Sequence, residues 1–211
     1  MKVKPFGETG WLIEPKDCQP SGLAAAIRQL GRSDIEDVVA SYETVAVFGP
    51  IAEDALQKAL VEALLTGEVS GEQKLIQVPV CYEMGLDWLQ LAGESSREDW
   101  IAAHLSLAYD CFAVGFQPGF AYLGYLPDEI AQTTRLSSPR TAVPVGSVAI
   151  AGRQTAVYPS ASPGGWNLIG RTPLTLVDVD DDFFPIAAGD RVQFYRIDDA
   201  EFARLEGVRL S

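Results

Sequence analysis

The tightest constraint in this sequence is the spacing of its β-forming runs in the C-terminal half. SVAIAG, TAVYP, WNLIG, LTLVD and DRVQFYRI are short β-like runs, and Pro/Gly turns separate them at close intervals. β-branched and aromatic residues suit a pleated, half-buried surface, and proline and glycine break it into turns, so the region from Cys111 onward reads as a barrel or a sandwich. Two segments within it, GFQPGFAYLG and YPSASPGGWNLIGRTP, concentrate glycine, proline and rings with few charges. Such stretches serve as tight turns filled by rings, or as the rim of a pocket.

The N-terminal part has a different texture. TGWLIEP is strand-like, and PSGLAAAIRQLG places Leu23, Ile27 and Leu30 at helical spacing, with Ser21 as a candidate cap and Gly31 as the stop. IEDVVASYETVAVFGP predicts two strands around a turn near Ala40–Ser41. IAEDALQKALVEALLTG puts Leu56, Leu60 and Leu64 on one helix face, ending at Gly67. With LIQVPVCY following, the order β-α-β-β-α suggests a split βαβ, ferredoxin-like sandwich. The polar GEVSGEQ stretch is the boundary candidate, giving a small α/β domain over residues 1–73 and a β-rich domain over 74–211. In the latter, VPVCY is a strand, GLDWLQLAG a short helix, and SSREDWIAAHLSLAY a helix opened by a capping box of Ser96 and Asp99.

Composition narrows the function. The chain has 211 residues and a formal charge of −13, which argues against a nucleic-acid surface. No apolar run approaches the roughly 20 residues of a membrane helix. The start, MKVKPFGETGWLIEP, lacks the h-region and cleavage site of a signal peptide, so the expected location is the cytoplasm. Cys18, Cys81 and Cys111 are scattered and form no zinc or disulfide spacing, and no metal is expected. Neither a GxSxG elbow, a GxGxxG turn nor a Walker loop occurs, so any ATP used is expected on another polypeptide.

What chemistry remains is carried by few residues. His104 is the one histidine. It shares a helix face with Trp100 and Ala108, and is read either as a buried, hydrogen-bonded side chain or as a general acid/base. In GFQPGFAYLG, Pro118 stiffens the chain, while Gly115 and Gly119 allow close approach. Phe116, Phe120 and Tyr122 either pin this turn or wall a pocket in which Gln117 offers a donor and an acceptor. Tyr158, Ser162, Trp166 and Arg171 do the same in the second segment. Arg140 and Arg171 are the cations nearest these loops, each able to fork onto a carboxylate or phosphate. The run Asp178, Asp180, Asp181, Asp182 lacks the spacing of a calcium loop and reads as solvated.

Taken together, GFQPGFAYLGYLP, PRTAVPVGSVAIAGRQTAVYPSASPGGWNLIGRTPLTLVD and AAGDRVQFY resemble the 5-oxoprolinase B subunit family (PxpB), which also includes the kinase inhibitor KipI and allophanate hydrolase subunit 1. The similarity is dense over residues 76–196. Gly85-Leu86-Asp87-Trp88 stands where the family usually has Gly-Pro-Asp-Leu, VPVG replaces VPAG, and Tyr125 occupies a position that is commonly small. The resemblance implies an α+β protein with a small N-terminal α/β domain followed by a cyclophilin-like β-barrel. It implies ATP-dependent opening of 5-oxo-L-proline to L-glutamate. Two kinds of partner are implied, an A subunit plus a homologous, carboxyltransferase-like C subunit, with no nucleic acid or membrane. Two other roles share these motifs: half of a biotin-dependent carboxyltransferase, and a histidine-kinase inhibitor. Among residues matching the motifs, catalytic roles are expected for His104, Arg140, Gln154 and Tyr158. Substrate contacts are expected from Gln117, Phe120, Ser147, Ser162, Trp166 and Arg171.

Overall fold

The computed structural model describes residues 1–66, 73–91, 96–131 and 133–211. The chain divides into two compact units, Met1–Gln73 and Lys74–Ser211. Most of the GEVSGEQ stretch, with Gly67, lies outside the described residues, as do Ala92 and Gly93 at the end of GLDWLQLAG.

The first unit contains β1 (Lys2–Pro5), β2 (Gly10–Glu14), α1 (Pro20–Gln29), β3 (Asp37–Ala40), β4 (Val45–Phe48) and α2 (Glu53–Thr66). Its antiparallel sheet runs β1-β2-β4-β3. Strands β2 and β3 flank β4 and are joined through α1, so the split βαβ arrangement is present. The outer strand beside β2 is the N-terminal β1, paired with it as a hairpin. The LIQVPV run belongs to the sheet of the second unit.

Two local expectations are corrected. Ser21 caps nothing: Gln19 is the N-cap without a side-chain bond, and Pro20 opens α1, a position where its missing N–H costs no helical bond. In α2 the buried face is Leu56, Ala59, Leu60 and Ala63, while Leu64 is exposed. A strict four-residue spacing drifts off one face of a 3.6-residue helix, and the small Ala59 and Ala63 sit closer to the buried stripe.

The second unit contains β5 (Leu75–Val80), a 3-10 turn (Tyr82–Met84), α3 (Trp88–Leu91), α4 (Arg97–Leu105), β6 (Ala108–Val114), β7 (Ala121–Gly124), β8 (Arg140–Val143), β9 (Ser147–Ala151), β10 (Gln154–Val157), β11 (Ser162–Gly164), β12 (Asn167–Arg171), β13 (Arg191–Arg196) and α5 (Asp199–Leu205). The capping box forms as read, with Ser96 and Asp99 bonding each other's backbone N–H. A seven-stranded sheet runs β12-β9-β10-β7-β6-β13-β5, with β13 and β5 parallel and the other neighbours antiparallel. Its two edges meet beyond β5, where Cys81 and Arg171 exchange both backbone bonds, at 2.9 and 3.0 Å. The sheet is therefore a nearly closed barrel, filled by side chains that include Val78, Val80, Leu123, Val148, Ile150 and Val192. β8 and β11 form a separate two-stranded ribbon.

LTLVD forms no strand. Leu174 and Leu176 enter the core, but the backbone pairs through isolated bridges: Thr175 donates to Val208 O and accepts from Leu210 N–H near the C-terminus, and Asp178 exchanges both bonds with Phe183 across a local turn. Pro173, which carries no N–H to give a ladder, precedes this stretch.

Gly170 sits where the barrel edges converge. A Cβ there would lie 2.6 Å from Val80 Cγ1 and 3.1 Å from the Cys81 carbonyl. Gly170→Ala is expected to destabilise the chain by about 1–3 kcal/mol through overpacking, read as a lower urea midpoint. Gly165→Ala, whose Cβ would meet Pro139 at an ordinary 3.6 Å, is expected to stay close to wild type.

Candidate functional site

The β8–β11 ribbon brings the expected residues together. Arg140 pairs with Gly164, and Val143 with Ser162, with a bulge between the two pairs. Paired residues of an antiparallel ladder share a face, and so do alternate residues of a strand. A Cβ on Gly164 would overlap the Tyr158 hydroxyl, so Arg140 and Ser162 lie on the face turned toward Tyr158. Only glycine fits there, which accounts for one of the two glycines in SPGG.

Beneath the ribbon stands a wall of rings. Phe120 meets Tyr122, Tyr158 and Trp166 edge to face, at centroid separations of 4.9, 5.2 and 5.8 Å. Phe120, Tyr158 and Trp166 are buried, and edge-to-face contacts align the positive ring edge with a neighbour's π face. Burial raises the Tyr158 pKa; the Trp166 backbone N–H and the charges of Arg135 and Arg140 oppose it. The hydroxyl therefore stays protonated at neutral pH.

The charge in the site is held by Asp87, which is only 5% exposed. Its Oδ1 accepts from Arg140 Nη2 at 2.5 Å and from Gln90 Nε2 at 2.8 Å. Its Oδ2 accepts from the Leu168 backbone N–H at 2.6 Å. Gln90 also reaches Asn167 Oδ1 at 3.3 Å, and Asn167 Nδ2 donates to Thr134 O at 2.8 Å. A buried carboxylate is tolerated only when paired and hydrogen-bonded, and here strand β12, helix α3 and the ribbon all supply donors. One guanidinium nitrogen is thereby fixed. Arg140 Nη1 and Ser162 Oγ are buried with no partner among the described residues, and native structures seldom leave such atoms without a bound group or water.

The remaining expected residues lie apart or at the margin. Gln117 is bonded to the other turn-rich segment, donating weakly to Ser160 O at 3.5 Å and accepting from Ser160 Oγ at 2.9 Å. Beside it, Phe116 adopts φ +70°, a left-handed conformation rare for a bulky residue. Ser147 donates to Pro144 O at 2.7 Å and closes a turn. Arg171 donates to Val145 O at 2.8 Å and lies over Phe202 of α5. Gln154 opens β10, opposite Gly124 of β7 and Ala151 of β9.

His104 is a core residue by its surroundings. It is fully buried and stacks on Phe194 at 4.7 Å. Nδ1 lies 2.7 Å from the Tyr82 hydroxyl and Nε2 2.9 Å from Thr155 Oγ1. Thr155 Oγ1 donates to Ala149 O at 3.1 Å, so it accepts from Nε2–H, and Nδ1 accepts from the tyrosine. Both ring nitrogens are satisfied in the neutral form, and burial pushes the pKa down to about 3.

Asp87, Gln90 and Arg135 carry no local signal that marks them as site residues. An aspartate just before WLQL reads locally as a helix-capping residue, and nothing within GLDWLQ reveals that Arg140, far along the chain, closes on it. The acidic run is held by Arg209, which pairs with Asp178 at 2.6 Å and with Asp181. Among the described residues no group of His, Cys, Asp and Glu side chains has metal-binding geometry, and no helix is long and apolar enough to cross a membrane.

With this geometry in view, comparison with known proteins gives the class first. The family model for the carboxyltransferase domain, subdomain C and D, matches residues 1–185, and the chain belongs to that family. Within it, the chain is similar to the 5-oxoprolinase B subunit of Haemophilus influenzae, 39% identical over 185 residues that cover 83% of this chain and 86% of the relative. It is also similar to the 5-oxoprolinase B subunit of Bacillus subtilis, 42% identical over 137 residues covering 62% of this chain and 56% of the relative. The chain thus spans little more than half of the Bacillus protein. Among solved structures, TTHA0988 superposes with a TM-score of 0.78 at 29% identity, covering 93% of this chain and 41% of that one.

The state of His104 predicts a pH dependence. In the unfolded chain the imidazole titrates near 6.5, whereas in the fold it stays neutral to about 3. The unfolded state therefore binds the proton first. The contribution to stability is intact above the unfolded pKa and is lost as pH falls toward 3. The expected loss between pH 7 and 5 is about 2 kcal/mol, read by urea unfolding. In His104→Gln, which cannot titrate, this part of the slope is expected to vanish even though the variant starts less stable. Equal slopes would show that the imidazole is not the source.

Proposed function

We propose that this chain is a cytoplasmic subunit of an ATP-dependent 5-oxoprolinase, which opens 5-oxo-L-proline to L-glutamate. It works in a heteromeric complex with an A subunit plus a carboxyltransferase-like C subunit, and has little activity alone. The observation that carries this reading is its kinship with the Haemophilus B subunit over most of both chains. In the same reading the first unit is a ferredoxin-like sandwich and the second a cyclophilin-like barrel.

The site suits a shared active centre. A lactam is an unreactive amide, and opening it requires activation of the carbonyl, an oriented water and stabilisation of developing charge. The ribbon supplies one arginine edge, one serine hydroxyl and a tyrosine hydroxyl on a rigid ring wall. It does not fit a triphosphate, which calls for a cradle of backbone N–H groups and more than one cation. In this reading the ATP site belongs to a partner subunit. Arg140, rather than Arg171, is the residue assigned to hold substrate anion, because Arg171 is engaged with the Val145 carbonyl and Phe202. Tyr158 and Ser162 are placed as donors beside it. His104 is assigned to the core, with no proton transfer to substrate.

The test is 5-oxoproline-dependent ATP hydrolysis by the complete set of subunits, with and without this chain. Hydrolysis coupled to glutamate formation is expected only when the chain is present. Arg140→Ala should lower turnover by about 100-fold while the complex still assembles on size exclusion. A rate that does not depend on the chain would overturn the assignment.

A further inference from the structure

A cleft of about 680 Å³ lies on the second unit, lined by residues of α3 and α4 and of the segments 129–131 and 133–138, alongside the ribbon site. Its lining is mainly polar and nearly neutral: Gln90, Thr134, Ser137 and Asn167 contribute amides and hydroxyls. Two ionised side chains complete it, Glu129 and Arg135.

Arg135 stands out among the arginines. The sequence has eleven, and every other one either pairs with a carboxylate or donates to a backbone carbonyl. Arg135 does neither among the described residues. Its guanidinium instead lies over the Trp166 ring, 5.9 Å from the centroid, a contact that orients the plane while leaving the N–H edges free. In a chain of charge −13, Arg135 is the one arginine with neither kind of partner among the described residues. Glu129, lining the same cleft, also has no cationic partner among the described residues. The amides are already set: Asn167 is buried and tied to Thr134 O, and Gln90 bridges Asn167 and Asp87.

We propose that this cleft binds a free α-amino acid as its zwitterion, the carboxylate on Arg135 and the ammonium on Glu129, with the amides and hydroxyls meeting a polar side chain. One cation and one anion in an otherwise neutral polar cleft match such a ligand. A simple anion would be repelled by Glu129, and a polyanion would lack cations. The inference deepens the 5-oxoprolinase reading and rests on it for the choice of amino acid. L-glutamate carries an ammonium group, whereas 5-oxo-L-proline has the same carboxylate but an uncharged lactam nitrogen. The cleft therefore selects product over substrate. Because Gln90 shares Asp87 Oδ1 with Arg140, the cleft also borders the ribbon site.

The experiment is calorimetric titration of the purified full-length chain with L-glutamate, 5-oxo-L-proline and inorganic phosphate in parallel. L-glutamate is expected to bind at least about tenfold more tightly than either other ligand, the effect of one charged contact. Arg135→Ala and Glu129→Gln, both exposed and so tolerant of change, should each lose about tenfold for L-glutamate, and Glu129→Gln should gain affinity for 5-oxo-L-proline relative to it. Equal binding of glutamate and 5-oxoproline, loss only in Arg135→Ala, or no glutamate binding would each overturn the proposal. Turnover by the complete subunit set is scored separately. Glutamate binding without turnover removes the enzyme assignment and keeps the site, and turnover without glutamate binding does the reverse.

Discussion

An open sheet has two edges, and in the second unit the rest of the architecture depends on how those edges are brought together. The two backbone bonds between Cys81 and Arg171 join the strand that begins the unit to one formed much later in the chain. Unpaired edges cost hydrogen bonds when buried and invite association when exposed, and closure removes most of that liability. It also demands a glycine at position 170, since Val80 and Cys81 already occupy the space a side chain would need. The closed sheet then fixes β12 against α3, and with it the backbone N–H of Leu168 that receives Asp87.

That second contact turns the scaffold into a site. Asp87 belongs to the segment before α3, and Arg140 to the ribbon. Their pairing at 2.5 Å spans 53 residues of sequence. Removing two charges from water is expensive, and the pair is sustained by the added donors from Leu168 and Gln90. The outcome is a guanidinium held in one orientation, with Nη1 facing the buried side of a ribbon backed by rings. His104 contributes in another way. Its two ring nitrogens join the 3-10 turn to β10 inside the barrel, so a titratable group acts as an uncharged strut.

Much of this is legible in the sequence, for identifiable reasons. The β-rich texture, the helices of the first unit, the Ser96–Asp99 capping box and the split βαβ order all follow from local propensity and periodicity. Arg140, Tyr158, Ser162, Phe120 and Trp166 stand out in the sequence because the two turn-rich segments, their flanks and the family motifs carry them. What is not legible depends on partners distant in sequence. LTLVD has the composition of a strand, yet it pairs only through isolated bridges at Thr175 and Asp178 among the described residues. Leu64 follows Leu60 by four residues, and the drift of that spacing turns it outward. Asp87 and Gln90 look like ordinary residues around a short helix.

By itself the sequence determined the kinds of elements, their order and the positions of the two rigid ring-and-turn segments, since these are set by local sterics and by hydrophobic period. Only the tertiary structure decided which polar groups meet. The buried state of His104, the pairing of Asp87 with Arg140 and the diversion of Arg171 to Val145 are all products of barrel closure. Desolvation and long-range hydrogen bonding depend on what the fold places alongside a side chain, and that is not written in its immediate neighbours.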